Sequence, residues 1–415
     1  MQKKECVIIK KCRLCASEKL TNVLKIGKTP LANSYNKKKN QKVSKYPLKV
    51  NLCNSCGHLQ LGHSVKPEKM FVNYLYKTNT SKKNYLHFKN YANKIEKLFK
   101  KKRKINILDI ASNDGTFLSF FDKKNFRLGI DPAKNLKKIA EKKGIKQIDK
   151  FFTHKNSISL KKKYGSFKII TANHVCAHVE NLKDFFNGVK NLLDEDGYFI
   201  LEVSYRGEVL KKNTFDTIYH EHIDYHALKP MKSFVNSYGL KIFDFEITKA
   251  QGGSLRVYIT KNKVKNSKKI KNFIIKEDKK MELFKIKKYK KFEKKIIDAK
   301  NNLKLLIDCA KKNNLNIAGY GAAAKTTTFL NFFKIKDEII KFIVDDNLLK
   351  QGFYMPGRNI KIVNLNELSK HHIDILIIFA WNYSDYIIKE IKKKSKKLNF
   401  NGKFLIPFPI PHIIK

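Results

Sequence analysis

Two closely spaced pairs of cysteines constrain the fold of the N-terminal part of this chain more than any other feature. Cys12 and Cys15 form one C-x-x-C pair, and Cys53 and Cys56 form the other. Two such pairs can supply four thiolates to one tetrahedral metal ion, which brings the two segments together in space. We expect a few short strands between them, because their separation is longer than in a minimal zinc ribbon. The pattern predicts a zinc ion bound by all four cysteines.

The ligand set also predicts what this ion does. Zinc held by four cysteines has no open coordination position, so we expect a structural and not a catalytic ion. Gly57 follows the second pair and suits the tight turn that aims backbone amides at metal-bound sulfur. A redox dithiol is the alternative for either pair alone, and the presence of the other pair weakens it. Cys6, Cys176 and Cys309 are interpreted as ordinary free cysteines.

Further along the chain, strand patterns alternate with helix patterns. Strands are predicted at 105–110, 127–130, 167–173 and 198–202, with helices between them. Such alternation is typical of a parallel, doubly wound α/β sheet. A second series of alternating strands and helices begins at residue 315. The sequence therefore predicts two α/β domains behind a zinc-binding module.

The ends of the first two strands indicate a cofactor. Asp109 ends the first strand and Asp131 ends the second, and ligands of open parallel sheets bind at this edge. Asp131 is placed to accept hydrogen bonds from a ribose. The turn after Asp109 lacks G-x-G-x-x-G, which argues against a pyrophosphate and hence against a dinucleotide. S-Adenosylmethionine has an adenosine and no phosphate, so it fits this pattern. An Asp that merely ends a strand is the alternative.

A dense group of proton-transfer side chains follows the first α/β pattern. Tyr219, His220, Glu221 and His222 place a phenol, two imidazoles and a carboxylate in four consecutive residues. Chance clustering on a solvated turn is the alternative when the segment is taken alone. Histidine is the natural base near neutral pH, so the segment is a candidate deprotonation site.

These motifs together resemble the nucleotide-sugar C-methyltransferases, which build branched deoxysugars. The resemblance covers nearly the whole chain and rests on motifs in the same order: the double C-x-x-C, Asp109–Thr116, Ile130–Pro132 with Asn135, Ala172–Val179, Tyr219–His222, Gly252–Tyr258, Gly319–Ala322 and Ala380–Asn382. Two departures stand out. Family members usually carry Glu where Asp109 stands and Gly where Ala111 stands, and a methyl group at Ala111 would crowd the methionine end of the cofactor.

The resemblance implies a reaction and its residues. A sugar carbon next to a ketone loses a proton, and the enolate then takes the methyl group of S-adenosylmethionine. His222 would be the base and Tyr219 a proton donor or orienting group, with Glu221 and His178 completing the site. A satisfied core histidine is the alternative for His178, and His220 is interpreted as structural. The cofactor would be bound by Asp109, Asn113, Asp114, Asp131 and Asn173.

The turn at Gly319, Gly321 and Lys325 has three interpretations. The first interpretation, a P-loop, is excluded because Ala324 replaces the glycine needed before the lysine. A dinucleotide fingerprint lacks its third glycine, although Asp345 lies where a ribose-binding acid is expected. An anion site for a substrate diphosphate at a helix N-terminus is the third, and the family resemblance favours it, with the nucleotide-sugar between two α/β lobes. Further family-like positions that would line the cofactor and sugar are Tyr74, Tyr76 and Ser81.

The net charge of +52 would normally suggest a nucleic-acid partner. The excess is almost entirely lysine and runs through every region, whereas base and phosphate readers usually favour arginine. We therefore expect no nucleic acid as the main partner. No apolar run is long enough to span a membrane, and we expect a cytoplasmic protein whose cysteines stay reduced. The oligomeric state is open.

The expected fold class is α/β, in four segments. These are a zinc-binding module over 10–66, a Rossmann-like methyltransferase domain over 67–262, a helical connector over 263–312 and a Rossmann-like nucleotide-sugar domain over 313–415. The main alternative function is a zinc-containing methyltransferase that acts on RNA. An NAD-dependent oxidoreductase and an inactive nucleotide-sugar binder are further alternatives.

Overall fold

The computed structural model describes residues 5–72, 82–98, 104–265 and 267–415. The chain divides into two compact units whose segments alternate along the sequence. The first unit comprises Met1–Thr21, Asn51–Glu208 and Ile223–Phe284, and the second comprises Asn22–Val50, Val209–His222 and Lys285–Lys415. The four segment bounds expected from the sequence stay a prediction, since they follow chain order and these units do not.

Strands and helices alternate along most of the chain. The strands are β1 (Cys6–Ile8), β2 (Leu20–Pro30), β3 (Lys45–Cys53), β4 (Leu59–Leu61), β5 (His63–Val65), β6 (Asn106–Ile110), β7 (Phe126–Ile130), β8 (Lys146–Ile148), β9 (Phe167–Asn173), β10 (Leu193–Ser204), β11 (Asp224–Tyr225), β12 (Lys241–Thr248), β13 (Ser254–Thr260), β14 (Ile317–Tyr320), β15 (Ile340–Val344), β16 (Ile362–Val363), β17 (Ile375–Ile378), β18 (Lys403–Ile406) and β19 (His412–Ile414). The helices are α1 (Glu68–Phe71), α2 (Lys82–Leu98), α3 (Thr116–Ser119), α4 (Lys134–Lys142), α5 (His154–Tyr164), α6 (Leu182–Leu192), α7 (Arg206–Lys211), α8 (Leu228–Ser237), α9 (Lys268–Ile275), α10 (Ile286–Lys312), α11 (Ala324–Phe333), α12 (Ser384–Lys393) and α13 (Ser395–Leu398).

The first unit is built on a seven-stranded sheet in the order β12-β13-β10-β9-β6-β7-β8. Strands β10, β9, β6, β7 and β8 are parallel, and β13 is antiparallel to both of its neighbours. The predicted parallel α/β sheet is thereby confirmed. After β6 the chain moves to β7 on one side and later to β9 on the other, so the carboxyl ends of these strands border a crevice where ligands of such sheets bind.

The core of this sheet explains why the sequence forms helix α2 beside it. Tyr91, Ala92 and Ile95 lie on one face of α2 and pack with Ile107 of β6 and Ile200 of β10. The spacing of three and four residues puts these side chains on one stripe of the helix. Each large apolar side chain buried in this way contributes about 1.5–3 kcal/mol to folding. This packing fixes α2 against the sheet.

The second unit contains a six-stranded sheet in the order β16-β15-β14-β17-β18-β19, in which only β19 is antiparallel. The predicted second α/β fold is confirmed. Gly319 lies inside β14, and a Cβ atom there would come within 2.7 Å of the Phe379 ring and 2.9 Å of Ile343. Its lack of a side chain is therefore needed for packing. Among the described residues, no helix is long and apolar enough to cross a membrane.

The segment between the cysteine pairs differs from the expectation. Instead of a few short strands it contains β2 and β3, which are 11 and 9 residues long. Over Lys45–Val50 of β3, buried residues alternate with less buried ones, which indicates one covered face along that part of the strand. The division between the two units falls within both strands.

Candidate active site and metal centre

The four predicted zinc ligands lie together in the first unit. The ligand atoms of Cys12, Cys15, Cys53 and Cys56 are all within 4.8 Å of one another, and the sulfurs of Cys12 and Cys56, like those of Cys15 and Cys53, are 3.6 Å apart. Sulfurs about 2.3 Å from a tetrahedral zinc ion lie about 3.8 Å from each other. The donor set and its spacing therefore fit one structural zinc ion.

Each cysteine pair ends in a residue with left-handed backbone. Ala16 donates its backbone N–H to the Cys12 carbonyl and Gly57 donates to the Cys53 carbonyl, each at 2.9 Å, with φ angles of 62° and 78°. A Cβ atom at Gly57 would come within 2.4 Å of the Phe284 ring. The glycine is needed both for the turn, as the sequence indicated, and for this close approach.

The residues next to the ligands contact a buried carboxylate. Arg13 donates from Nε to both carboxylate oxygens of Asp224, at 2.9 and 3.0 Å, and its terminal nitrogens donate to the carbonyls of Val179 and Glu180. The His58 Nε2 lies 2.8 Å from the same carboxylate. Burial alone would raise the pKa of Asp224, but the charge on Arg13 and the hydrogen bond with His58 hold it below its ordinary value. Both cysteine pairs are thus tied to Asp224.

At the predicted cofactor edge, Asp109 is buried at the end of β6. Its Oδ1 accepts hydrogen bonds from Thr171 at 2.6 Å and from the Asn173 amide at 3.3 Å. Burial raises the pKa of Asp109 to about 7, against the effect of the Thr171 bond and with a contribution from the charge of Asp131. The Oδ1 of Asn173 is buried with no hydrogen-bond partner among the described residues. A polar ligand such as a cofactor would satisfy that atom.

Asp131 and Asn113 are joined at the same edge. The Asp131 carboxylate accepts from the backbone N–H of Asn113 at 2.9 Å and of Ala133 at 2.8 Å. A carboxylate has about four lone-pair sites, so it can still accept from a ribose hydroxyl. Asp114 contacts Lys143 at 3.1 Å and accepts from the Thr116 backbone. The structure thus places all five predicted cofactor residues at the carboxyl ends of β6, β7 and β9 or in the turn that follows β6.

The backbone of the turn after β6 shows why glycine is favoured at the position of Ala111, where this chain departs from the family pattern. Ala111 has a φ of 59°, in the left-handed region where glycine is at ease. Left-handed backbone costs a residue with a Cβ about 1–2 kcal/mol. The backbone of this turn therefore supplies the physical reason why glycine is usual at the position of Ala111.

We expect Ala111→Gly to stabilise the protein slightly. It relieves the left-handed conformation but adds an entropy cost of about 0.5–1 kcal/mol, so the net gain is about 0–1.5 kcal/mol. Ala133→Gly is the control, because Ala133 has a φ of −75°, so no left-handed conformation is relieved and only costs apply, from chain entropy and from the loss of a buried methyl group. Urea unfolding should show the two substitutions with opposite signs. Equal destabilisation by both would contradict the account of Ala111.

In the second unit, two hydrogen bonds fix the orientation and the tautomer of the His222 ring. Its Nδ1 lies 2.7 Å from the Thr217 carbonyl, so Nδ1 carries the proton and donates it. Its Nε2 is then the acceptor, and the Tyr219 hydroxyl donates to it at 2.9 Å. The two rings lie 4.0 Å apart. A backbone carbonyl therefore selects the tautomer in which Nε2 can take a proton.

The segment carrying these residues is fixed by its own preceding side chains. Phe215 packs with its ring 4.9 Å from Phe408, and the Trp381 indole donates to the Asp216 carboxylate at 2.8 Å. Burial raises the pKa of Asp216, and the positive charge of Lys325 opposes that shift. These anchors make the position of Tyr219–His222 a property of the folded unit.

Glu221 is a buried carboxyl with one amide partner. The Asn33 Nδ2 donates to both of its oxygens, at 2.9 and 2.8 Å. Burial raises the pKa of Glu221 to about 7, and the Asn33 bond only partly opposes the shift. A carboxyl that changes protonation near neutral pH can give or take a proton in a reaction.

This burial predicts a pH dependence of stability. Unfolded, Glu221 loses its proton near pH 4.5, whereas in the folded protein it keeps it up to about 7. Stability from this residue is therefore present below pH 4.5 and is lost as pH rises towards 7, to a total of about 3 kcal/mol. Glu221→Gln cannot ionise. We therefore expect its stability relative to the natural protein, measured by urea unfolding, to be greater at pH 8 than at pH 5. A difference that stays constant between these pH values would contradict this prediction.

The remaining predicted site residues lie as follows. His178 is in the first unit, where its ring stacks on Phe71 at 5.5 Å. His220 is buried in the second unit beside the Tyr46 carbonyl, 3.2 Å away, which suits a structural role. Gly321 turns with a φ of 98°, and the next backbone amide, that of Ala322, donates to Asp345 at 2.8 Å. Tyr76, with Tyr74 and Ser81, lies outside the described residues.

Sequence reasoning missed several partners of these residues. Arg13 lies inside the first C-x-x-C pair and His58 directly after Gly57, so their positions beside the ligands were a usable signal. Asn33 carried no comparable signal, because it is 188 residues from Glu221. Asp224 lies in the chain two residues after His222, and that proximity to the motif was its only signal.

Comparisons with known proteins agree with this arrangement. Three family profiles match, in chain order: a zinc-binding domain over residues 12–71, a methyltransferase domain over 85–244 and a C-methyltransferase C-terminal domain over 249–409. The C-methyltransferase NovU of Streptomyces niveus is 28% identical over 410 residues, which cover 98% of this chain and 97% of NovU.

Solved structures of methyltransferases resemble part of the chain. Magnesium protoporphyrin IX methyltransferase from Synechocystis, solved with bound S-adenosylhomocysteine, is 11% identical with a TM-score of 0.34, and covers 43% of this chain and 83% of its own. An S-adenosylmethionine-dependent methyltransferase from Clostridium acetobutylicum is 17% identical with a TM-score of 0.34, and covers 42% and 91%. From the three family profiles and the full-length relative, the chain belongs to the S-adenosylmethionine-dependent C-methyltransferases with an N-terminal zinc-binding domain.

Proposed function

We propose that this enzyme methylates a carbon next to the ketone of a nucleotide-linked keto-deoxysugar. The observation that carries the proposal is the tautomer of His222, whose Nδ1 is bonded to the Thr217 carbonyl and whose Nε2 is basic. Carbon is a poor nucleophile unless a neighbouring carbonyl makes its proton removable. A base fixed in this way is what such an acidified C–H bond requires.

In the proposed reaction the chain's own residues handle a proton. His222 Nε2 takes the proton from the carbon, and the electron pair of the C–H bond moves into the enolate. Tyr219 donates its hydroxyl hydrogen to Nε2 in the resting state, so it orients the imidazole and can pass a proton through its own oxygen. S-Adenosylmethionine, when bound, supplies an electrophilic methyl group that the enolate carbon attacks.

Oxyanion charge on the ketone also needs stabilisation. Glu221, with a pKa of about 7, is partly protonated at neutral pH, and its protonated form can donate a hydrogen bond to such charge. Asn33 holds the carboxyl in place through both oxygens. We propose Glu221 as this supporting group and His178 as a further site residue on the strength of the family resemblance.

The cofactor would be held at the carboxyl ends of β6, β7 and β9. Asp131 would accept from the ribose, and Asn173 offers its buried, unpartnered Oδ1. The remaining contacts would come from Asp109, Asn113 and Asp114. The four cysteines would hold zinc as a structural ion, and a reducing cytoplasm would keep them as thiolates.

The nucleotide part of the substrate would be bound in the second unit. The turn at Gly321 precedes α11, whose N-terminus attracts negative charge, and Lys325 lies in its first turn. Because the Ala322 amide is already engaged by Asp345, we assign the diphosphate contact to Lys325 rather than to that amide. Gly319, packed inside its strand, shapes the turn only indirectly.

One assay tests the proposed function. The protein is incubated with S-adenosylmethionine and a panel of TDP-, GDP- and CDP-linked 4-keto sugars, and the products are weighed by mass spectrometry. We expect one sugar to gain the mass of one methylene group. RNA is assayed in parallel under the same conditions. Transfer to RNA with none to any sugar would overturn the proposal.

A further inference from the structure

A polar groove in the second unit contains none of the residues assigned to the sites above. One wall is the segment 36–45, between β2 and the start of β3, and the other is the segment 357–359, ahead of β16. Four carboxamides and three cationic side chains line the groove, and the residues described around it include no acidic one. Its volume is about 470 Å³, within the range of about 300–1,000 Å³ of pockets that bind small organic molecules.

Hydrogen bonds join the two walls of the groove. The backbone N–H of Asn36 donates to the Tyr354 carbonyl at 2.9 Å, and the N–H of Tyr354 donates to the Asn36 carbonyl at 2.8 Å. The backbone N–H of Asn40 donates to Asn359 Oδ1, and Asn359 Nδ2 donates back to Asn40 Oδ1, both at 2.7 Å. The groove is therefore formed by the fold and does not depend on the chance position of surface side chains.

Two polar atoms of the lining residues are buried with no hydrogen-bond partner in the part of the chain that the structure describes. They are the Oδ1 of Asn36, a residue that is 2% exposed, and the Nε of Arg358. Buried polar atoms of native proteins are almost always paired, so each of these calls for a partner. The first is an acceptor and the second a donor. A ligand that both donates and accepts hydrogen bonds would satisfy the two.

The charge of the groove indicates the kind of ligand. The Arg358 guanidinium is fixed by its Nη2, which donates to the Leu330 carbonyl at 2.7 Å, and its Nη1 lies 3.4 Å from the Asp337 carboxylate. Lys42 and Lys45 are exposed at the rim. Asp337 can balance one of these three cations and leaves two. A ligand with about two negative charges is therefore complementary to the groove.

The groove is separate from the diphosphate contact proposed at Lys325. Arg358 bonds to Leu330, which lies five residues after Lys325 in α11. Five residues of α-helix rise about 7.5 Å, so this contact is beyond the first turn of α11 where Lys325 lies. A ligand in the groove is thus either a further part of the molecule held at Lys325 or a second molecule.

We propose that this groove binds a phosphorylated sugar. Its phosphate contacts Lys42, Lys45 and Arg358, and a sugar hydroxyl donates to Asn36 Oδ1. A phosphate monoester has about two negative charges and three acceptor oxygens near neutral pH, which matches the two cations left over and the Arg358 donor. The ribose phosphate of the nucleotide-linked substrate is one source, and it rests on the proposed function. A separate sugar phosphate is the other source and is independent of that function.

The test measures binding by calorimetry without S-adenosylmethionine, in a phosphate-free buffer of constant ionic strength. The probes are ribose 5-phosphate and the nucleoside diphosphates TDP, GDP and CDP. The test variants are Asn36→Ala and the double variant Lys42→Ala with Lys45→Ala. Lys37→Ala with Lys38→Ala is the matched control, because it removes the same charge from exposed lysines of the same segment that do not line the groove.

We expect ribose 5-phosphate to bind the natural protein. Loss of Lys42 and Lys45 should weaken it about ten-fold or more, Asn36→Ala about two- to ten-fold, and the control pair should leave it unchanged. If the groove holds part of the nucleotide substrate, one of the diphosphates displaces ribose 5-phosphate and is weakened by the same substitutions. If a separate sugar phosphate is the ligand, ribose 5-phosphate binds together with each diphosphate, and the diphosphates are unaffected.

Three results would overturn the proposal. They are no binding of ribose 5-phosphate, equal weakening by the test and control lysine pairs, and an effect of Lys42 and Lys45 with none of Asn36→Ala, which would mean a bare anion site. Should Asn36→Ala fold poorly, Asn36→Asp tests the same contact, since it keeps the size of the side chain and adds a charge that repels phosphate. No methyl transfer is measured, so loss of this site and loss of the proposed function are distinguishable.

Discussion

Replacement of His222 by Gln should reduce methyl transfer by about 10²–10⁴-fold, the usual contribution of a general base. Gln can still donate to the Thr217 carbonyl, so the fold of the segment is kept while the basic Nε2 is lost. The same variant should lose exchange of solvent deuterium into the sugar position next to the ketone, because exchange requires only deprotonation. Transfer is followed by mass spectrometry and exchange by proton NMR.

A neighbouring histidine gives the matched control. His220→Gln alters an imidazole two residues away that contacts the Tyr46 carbonyl, and we expect it to lower stability while folded molecules keep deuterium exchange. Binding of S-adenosylhomocysteine should be unchanged in both variants. Retained exchange in His222→Gln would show that another residue is the base, and loss in His220→Gln at full folding would assign that role to His220.

The parts of the site that could be predicted from sequence are those whose residues lie close together in the chain or at the ends of predicted strands. Tyr219 and His222 are three residues apart, and their hydrogen bond follows from the turn that joins them. Asp109 and Asp131 end neighbouring parallel strands, so their proximity follows from the strand pattern. The two C-x-x-C spacings of the four cysteines likewise predict that the four sulfurs lie together. Local patterns of this kind are sufficient to identify the elements and their polar ends.

The partners of these residues could not be predicted in the same way. Arg13 meets Asp224 across 211 residues, and Asn33 meets Glu221 across 188. Nothing in one sequence distinguishes such a pair from any other charged or amide residues. The lengths of β2 and β3 were missed for a related reason, because the cysteine spacing fixes where the ends of the loop meet and not how far the strands extend between them. The left-handed backbone at Ala111 similarly depends on the turn that tertiary packing imposes.

The Arg13–Asp224 pair should make one of the largest single contributions to the stability of the first unit. Asp224 has no exposed side-chain surface and Arg13 only 9%. Removing the carboxylate by Asp224→Ala leaves a guanidinium and the His58 ring without their buried partner, which typically costs about 3–5 kcal/mol. We expect that loss in urea unfolding followed by circular dichroism, since the single tryptophan, Trp381, reports on the second unit.

An exposed ion pair tests whether burial or charge pairing alone causes the loss of stability in Asp224→Ala. Glu195 contacts Lys261 at 2.8 Å, but its side chain is 86% exposed and its charge is screened by water, so Glu195→Ala should leave the free energy of unfolding nearly unchanged. Acid supplies a second check. Because the pKa of Asp224 is lowered by folding, its contribution is complete above the ordinary aspartate pKa and is lost as pH falls through the native value. The difference between the natural protein and Asp224→Ala should therefore be constant near neutral pH and shrink in acid. Equal costs for the two substitutions would mean that the carboxylate does not hold the cysteine pairs and the loop at Val179 and Glu180 together.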